Sequence, residues 1–212
     1  MKMIIFGATG KTGRELLLQG LEQGHEVTAF VRNPDKLNME HPLLYVVQGD
    51  VTSYDDVNAA LAAKHYDTVF SALGAKTPFQ RDLRLVEAVR HITRAAAEQQ
   101  AGKIVHISFV GTRKDAGKLG WLYRLVTPLL MRNLLADHRD KEKIIAAGAA
   151  NWVLVQPPLL TNGERTGSYY YETAIRQLPT SKKKLSRANL AEFMLKQAQQ
   201  SEHDRKAVMV SE

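Results

Sequence analysis

Three glycines stand at three-residue intervals near the start of the chain, between a short apolar run and a leucine-rich stretch with helical spacing. They are Gly7, Gly10 and Gly13. Glycine lets backbone N–H groups approach a bound phosphate closely, and the start of the following helix adds partial positive charge. The spacing therefore predicts a loop that binds the pyrophosphate of a dinucleotide. A glycine turn with only a structural role is the alternative.

The same loop contains Gly10-Lys11-Thr12, which also ends the triphosphate-binding pattern G-x-x-x-x-G-K-[ST]. The first glycine of that pattern would fall at Ile5, inside the predicted strand. The loop is therefore too short to wrap a triphosphate. We expect Lys11 to belong to a dinucleotide site instead.

Arg32 follows a second run of strand-forming residues, Glu26–Val31. In this architecture an acidic residue after the second strand bonds the ribose 2′-hydroxyl of NAD, whereas an arginine accepts the 2′-phosphate of NADP. Lys36 follows closely and is expected to supply a second cation. The sequence thus predicts NADP(H) as cofactor, and the alternative is an arginine that is simply solvated.

Composition narrows the class of protein. The chain has 212 residues, no cysteine and a formal net charge of +7. Cysteine-ligated metal and thiol chemistry are excluded, we predict no metal site, and the charge favours an anionic small-molecule partner. We expect no membrane span, because no long apolar run occurs, and no nucleic-acid partner, because no motif for one is present. A cytoplasmic protein is the expectation.

Repeated strand and helix patterns predict an α/β fold with a doubly wound parallel sheet, the Rossmann fold, and a small C-terminal extension. Further strands are expected at 43–47, 68–74, 103–108, 152–156 and 206–210, and helices at 53–63, 83–97, from 137, and at 187–197. We expect a single NAD(P)-binding domain over residues 1–212, with 160–212 contributing to the substrate side. The ends of the strands converge on one edge, where a site is expected.

Two features leave alternatives open. Asp50 follows the third predicted strand, where it either accepts a hydrogen bond from adenine or caps its own turn. Residues 119–131 are the most apolar stretch, and we interpret them as a lid or a subunit contact rather than as a membrane insertion. Either a monomer or a homodimer is compatible with this interpretation.

The chain resembles the atypical short-chain dehydrogenase/reductases, in particular the proteins related to biliverdin-IXβ reductase (flavin reductase) and the NmrA-like proteins. The resemblance rests on residues 6–13 (FGATGKTG), 31–33 (VRN), 49–51 (GDV), 73–74 (LG), 155–158 (VQPP), 166–169 (TGSY) and 186–191 (SRANLA). It implies contacts with NADPH from Thr9, Gly10, Thr12, Arg32, Asp50, Val51, Leu73, Gly74, Pro158 and Leu159. It also implies that Ser108 and Phe109 lie near the nicotinamide.

The departures from that family concern the catalytic groups. No tyrosine is followed four residues later by lysine, so the Tyr-x-x-x-Lys acid of ordinary short-chain dehydrogenases and of epimerases is missing. Relatives similar to biliverdin-IXβ reductase carry serine where this chain has Phe109 and histidine where it has Leu159. We therefore expect a more apolar substrate pocket, formed by Phe109, Leu159, Trp121 and Leu122, and we do not expect biliverdin as the substrate.

These observations predict an NADPH-dependent oxidoreductase that passes hydride to a planar acceptor such as a flavin or quinone, which tolerates a missing acid. Ser108 is a candidate for orienting the reactants, and His138 is a candidate proton donor because histidine ordinarily titrates near neutrality. The alternative is a regulatory protein that senses NADP(H) without chemistry, because fold does not fix function.

Overall fold

The computed structural model describes residues 1–75, 77, 79–175 and 184–212. The strands are β1 (Lys2–Phe6), β2 (Glu26–Val31), β3 (Leu44–Gln48), β4 (Thr68–Ser71), β5 (Lys103–Ile107), β6 (Asn151–Gln156), β7 (Leu159–Thr161), β8 (Tyr170–Glu172), β9 (Lys184–Ser186) and β10 (Lys206–Ser211). The helices are α1 (Lys11–Glu22), α2 (Tyr54–Ala62), α3 (Leu83–Glu98), α4 (Thr127–Leu130), α5 (Arg132–Ala147) and α6 (Arg187–Gln199).

The main sheet has the strand order β3-β2-β1-β4-β5-β6-β10-β8. Every neighbouring pair is parallel except β10 and β8, which run antiparallel. The strand order reverses direction between β1 and β4, and this reversal opens a crevice at the carboxyl ends of the strands. The predicted doubly wound α/β fold is confirmed.

The sheet is apolar on both faces, as parallel sheets usually are. Successive residues of a strand point to opposite sides, so Ile5 and Val105 join one core cluster while Ile4 and Ile104 join the other. α1 and α6 cover the first face, and α2, α3 and α5 cover the second. The carboxyl edge between these layers remains the place where polar groups reach solvent.

Backbone crowding explains two glycines of the loop. Gly7 has φ +92°, in the left-handed region, and a Cβ added there would lie 2.7 Å from the Ala72 carbonyl oxygen. A Cβ added to Gly13 would lie 2.0 Å from the Gly7 carbonyl oxygen. A side chain at either position would clash with the backbone, so only glycine fits there. The absence of side chains lets α1 start directly against the ends of β1 and β4.

Several predicted boundaries differ from the structure. α5 begins at Arg132, earlier than the predicted start near residue 137, because Leu135 packs into the core and its N–H bonds the Met131 carbonyl. β4 ends at Ser71, which leaves Leu73 and Gly74 beyond the sheet. The apolar segment, residues 119–131, is mostly helical, with a π-helix at Leu122–Val126 followed by α4. Among the described residues, no helix has the length and apolarity to cross a membrane.

Candidate functional site

One cavity lies against the glycine loop and is called the loop cavity below. Its volume is about 280 Å³. It is lined by Gly7, Thr9, Gly10, Phe30, Val31, Arg32, Gly49, Asp50, Val51, Thr52, Ala72, Leu73, Gly74, Asp82, Arg84 and Leu85. Most of these residues come from the carboxyl ends of β1, β2, β3 and β4, so the predicted convergence of strand ends is present in the structure; the others come from the start of α3.

The start of α1 offers unpartnered donors to this edge of the sheet. Gly10 is the N-cap residue, and no side chain caps the helix. The first N–H groups of an α-helix lack intrahelical acceptors, and the helix dipole favours negative charge beside them. With the two crowded glycines holding the turn tight, the loop therefore fits a pyrophosphate.

Two arginines stand at the far end of the loop cavity. Arg32 and Arg84 both line it and both help to lower the pKa of Asp50, although hydrogen bonds from Thr52 contribute most. Lys36, which was expected as the second cation, is exposed and is not part of this lining. Arg84 was missed because it lies far from Arg32 in sequence, on α3, and no local pattern connects them.

Asp50 caps the turn that follows β3. Its Oδ1 accepts hydrogen bonds from the N–H and the hydroxyl of Thr52, each at 2.9 Å. The turn-capping alternative is therefore realised in the structure. Because Asp50 also lines the loop cavity, contact with a ligand there remains a prediction.

A second cavity, called the strand-end cavity below, lies beyond the loop at the ends of β4, β5 and β6. Its volume is about 430 Å³. It is lined by Gly10, Lys11, Thr12, Ala72, Leu73, Gly74, Ala75, Ile107, Ser108, Phe109, Leu134, His138, Pro157, Pro158, Leu160 and Arg187. Gly10, Ala72, Leu73 and Gly74 line both cavities, so the two form one cleft across the sheet edge.

The predicted substrate pocket is only partly the one observed. Phe109 lines the strand-end cavity, but its lining does not include Trp121, Leu122 or Leu159, which are 70%, 45% and 68% exposed. Leu160 lines the cavity in place of Leu159, because neighbouring residues of β7 point to opposite sides. From the apolar segment, the buried Leu119 and Tyr123 belong to the cluster against which Phe109 packs, and the ring centroids of Tyr123 and Phe109 lie 6.3 Å apart.

Ser108 is buried and makes a short hydrogen bond. Its hydroxyl donates to Glu142 Oε1 at 2.5 Å, and His138 Nδ1 lies 3.4 Å from the same hydroxyl oxygen. Burial, with a smaller contribution from the charge of Lys141, lowers the pKa of His138 to about 3. Burial therefore disfavours the charged imidazolium of His138 at physiological pH, which argues against its predicted role as proton donor.

Glu142 connects Ser108 to a polar network that sequence reasoning missed. Glu142 Oε1 also accepts from Thr112 and from Gln156 Nε2, both at 2.8 Å. Gln156 Oε1 in turn accepts from Arg113 Nη1 at 2.9 Å. Glu142 lies one helical turn after His138 on α5, and this spacing was the available signal that it shares a face with His138.

A second polar group lies beneath the strand-end cavity. His106 is fully buried on β5, and its Nδ1 lies 2.9 Å from the Ser71 hydroxyl. Burial above all, then the nearby Lys141 and His138, holds the pKa of His106 well below its ordinary value. Burial also lowers the pKa of Lys141. The region under the cavity thus disfavours positive charge on histidine.

A parallel sheet with a crevice at its strand-order reversal, entered by a glycine turn and a helix N-terminus, defines an NAD(P)-binding Rossmann protein. The chain belongs to a family described as NAD(P)H-binding, whose family model matches residues 7–201. The resemblance to atypical short-chain dehydrogenase/reductases is confirmed, and the cofactor is a nicotinamide dinucleotide.

The relatives extend over most of the chain. The uncharacterized protein YwnB of Bacillus subtilis (strain 168) is 29% identical over 176 residues, which cover 80% of this chain and 78% of YwnB. ChuY, an anaerobillin reductase from Escherichia coli O157:H7, superposes with a TM-score of 0.79 at 18% identity and covers 99% of this chain and 96% of its own.

A short-chain dehydrogenase/reductase from Veillonella parvula DSM 2008, solved in complex with NADP, gives a TM-score of 0.79 at 15% identity. The superposition covers 100% of this chain and 94% of that protein. At such low identities the two solved structures establish the fold.

Proposed function

We propose that this protein is an NADPH-dependent reductase that transfers hydride to a planar acceptor such as a flavin or a quinone. One observation carries the proposal: the loop cavity and the strand-end cavity share a wall and form a single cleft. The loop cavity has Arg32 and Arg84, and the strand-end cavity combines apolar side chains with Lys11 and Arg187. Such a cleft suits a long phosphorylated cofactor that points toward an apolar acceptor.

The residues of the cleft fit NADPH. Gly7 and Gly13 leave room for a tight turn, and the N–H groups at the start of α1 face a bound pyrophosphate. Arg32 pairs with the 2′-phosphate in this proposal, and Arg84 adds a second positive charge. Bound NADPH supplies a hydride from its nicotinamide ring. The strand-end cavity then holds the nicotinamide and the acceptor.

The proton requirement separates a planar acceptor from a ketone. The chain lacks the Tyr-x-x-x-Lys acid, and His138, with a pKa of about 3, is not in the acidic imidazolium form near neutrality. A reduced flavin or quinone spreads its negative charge over a ring and takes a proton from water. The protein therefore needs mainly to bind and orient the two rings and to exclude competing reactions.

The C-terminal part of the chain contributes to the acceptor side in this proposal. Leu160 from β7 and Arg187 from the start of α6 both line the strand-end cavity. Arg187 donates a hydrogen bond to Asn162 at 2.7 Å, which fixes its guanidinium beside the cavity. We therefore propose a single domain over residues 1–212, in which residues 160–212 form part of the acceptor site.

Anaerobic mixing tests the proposal. The purified protein is mixed with NADPH and a panel of flavins and quinones, and the nicotinamide absorbance is followed. We expect protein-dependent oxidation of NADPH with at least one planar acceptor. Tight NADPH binding without oxidation by any member of the panel would contradict the proposal.

Sensing of NADP(H) without chemistry is the second candidate function. The exposed apolar side chains of residues 119–131 favour it, since Trp121, Leu125 and Leu129 are 70%, 63% and 74% exposed. A surface of this kind marks sites of interaction. Under this alternative, NADPH binding changes the affinity for a partner protein, and the acceptor panel stays unreacted.

A further inference from the structure

One arginine fixes the orientation of the Gln156 amide in the hydrogen-bond network around Ser108. Arg113 is anchored by Asp115, with a distance of 2.9 Å from Nε to Oδ1. A guanidinium only donates hydrogen bonds, so the Gln156 side-chain atom that faces Arg113 Nη1 is its carbonyl oxygen. The amide nitrogen of Gln156 therefore faces the opposite way, toward Glu142.

The chain of donors continues through Glu142 to Ser108. Gln156 Nε2 donates to Glu142 Oε1 at 2.8 Å, and Thr112 lies at 2.8 Å from the same oxygen. A carboxylate only accepts hydrogen bonds. The proton of the Ser108 hydroxyl must therefore point to Glu142, as the distance of 2.5 Å shows. Nothing in this arrangement leaves that proton for a ligand.

Ser108 consequently presents only lone pairs of its oxygen to the strand-end cavity. It is 4% exposed and still lines that cavity, so it meets a ligand in a poorly hydrated place. His138 Nδ1, at 3.4 Å, interacts with one lone pair at most. A buried hydroxyl oxygen with a free lone pair is satisfied only by a donor group.

We propose that Ser108 accepts a hydrogen bond from a ring N–H of the planar ligand in the strand-end cavity. An imide or lactam N–H, such as N3–H of a flavin, meets this requirement. A quinone does not, because its ring carries carbonyl oxygens and no donor. The inference rests on the proposed function and narrows its acceptor class to nitrogen heterocycles.

A quinone is accommodated only if the Ser108 hydroxyl rotates away from Glu142. That rotation breaks a short, charge-assisted hydrogen bond and leaves a partly buried carboxylate oxygen with fewer donors. Glu142 is thus a positioning residue, since it sets the polarity of Ser108 without lining the strand-end cavity. Phe109, Leu134 and Leu160 form apolar walls that suit either ring and do not discriminate between them.

Flavin binding tests the inference without turnover. Lumiflavin and 3-methyl-lumiflavin are titrated into the protein in the presence of NADP⁺, and flavin fluorescence is followed. The methylated flavin lacks the ring N–H. We expect the wild-type protein to bind lumiflavin at least about tenfold more tightly, which is the effect of one unpaired buried group.

Three variants separate hydrogen bonding from steric exclusion of the methyl group. Ser108→Ala should bring the ratio of the two affinities close to one. Glu142→Met should lower the ratio to below about threefold, because it removes the acceptor of the Ser108 proton and frees the hydroxyl to rotate, at a position that does not line the cavity. Lys143→Gln, an exposed position on the same helix, is the matched control and should keep the wild-type ratio.

Equal affinities in the wild-type protein, no binding of either flavin, or a preference that survives in Ser108→Ala would overturn the inference. So would a Ser108→Ala variant that binds NADP⁺ more weakly but binds its 3-acetylpyridine analogue normally, because Ser108 would then pair with the nicotinamide carboxamide. A lumiflavin preference without NADPH oxidation supports the inference and contradicts the reductase function, so the two failures are distinguishable.

Discussion

The loop cavity and the strand-end cavity share a wall but are built from different parts of the chain. Gly7 and Gly13 shape the first through backbone crowding, Gly13 against Gly7 within the loop and Gly7 against Ala72 after β4. The second depends on side chains that meet across long separations, such as Ser108 with Glu142 and Thr112 with Gln156. Backbone geometry that depends on residues close in sequence can be predicted from residue types. The direction of hydrogen bonds in a side-chain network cannot.

Among the substitutions that test this comparison, we expect the largest effect at Gly13, because this glycine lets the backbone of the loop pack closely. A Cβ there would lie 2.0 Å from the Gly7 carbonyl oxygen, a backbone atom that cannot move alone. We expect Gly13→Ala to lower the free energy of unfolding by about 3 kcal/mol or more. Urea denaturation measures it. Gly74→Ala is the control, because an added Cβ meets no described atom within 4 Å; equal stability of the two variants would contradict this role.

Gly10 separates ligand binding from folding within the same loop. An added Cβ would approach only the Gly7 carbonyl oxygen, at 3.2 Å, so the fold tolerates a side chain there. A branched side chain would occupy the approach to the pyrophosphate. We therefore expect Gly10→Val to keep its circular dichroism spectrum and to lose at least about 100-fold in NADPH affinity, or about 2.7 kcal/mol. Normal NADPH affinity in this variant would place the phosphate elsewhere.

An Arg32→Ala variant tests the charged end of the loop cavity. Loss of its contact with the 2′-phosphate should cost about 1.5–3 kcal/mol, or tenfold or more in NADPH affinity. NADH affinity should change little. Lys36→Ala is the matched control, because Lys36 is exposed and does not line the cavity. Calorimetry with both cofactors measures this, and equal affinities for NADPH and NADH in the wild-type protein would refute the preference.

The strand-end cavity predicts a dependence of stability on pH through His138. His138 has a pKa of about 3 in the folded protein against an ordinary 6.5, so between these values the unfolded chain binds a proton that the folded chain lacks. Stability therefore falls as the pH is lowered through this window, by at most about 1.4 kcal/mol per pH unit.

His138→Asn should remove that part of the slope. Urea denaturation between pH 6.5 and 4 measures it, and the exposed His65→Asn variant controls for replacing a histidine. An unchanged slope in His138→Asn would mean that the imidazole is solvated in the folded protein.

Particular residues show why the sequence predicted one cavity better than the other. The strand, the glycine spacing and Arg32 are neighbours in sequence, and the fold places them together as expected. Arg84 joins them only because α3 starts beside β4, which no local pattern reveals. The sequence predicted Leu159 rather than Leu160 as a pocket residue. Which of the two side chains faces the cavity depends on the pairing of β7 with β9, a contact that the sequence does not show.

Glu142 and His138 illustrate the same limit at the level of chemistry. His138 was identified from its type, but its burial and the nearby Lys141, which lower its pKa, depend on how α5 docks. Glu142 stands in a run of charged residues that looks solvated. Its partners, Ser108, Thr112 and Gln156, lie in two other parts of the chain, the segment after β5 and the end of β6.

The central claim is that this cleft orients the nicotinamide for hydride transfer. Stereospecific isotope transfer is the most direct test of it. The protein is mixed anaerobically with lumiflavin and with NADPH carrying deuterium on one face or the other of the nicotinamide C4. We expect a primary kinetic isotope effect on flavin reduction with one isomer and almost none with the other, because a fixed ring presents a single face. Equal isotope effects with both isomers, or reduction at the same rate without the protein, would contradict the claim.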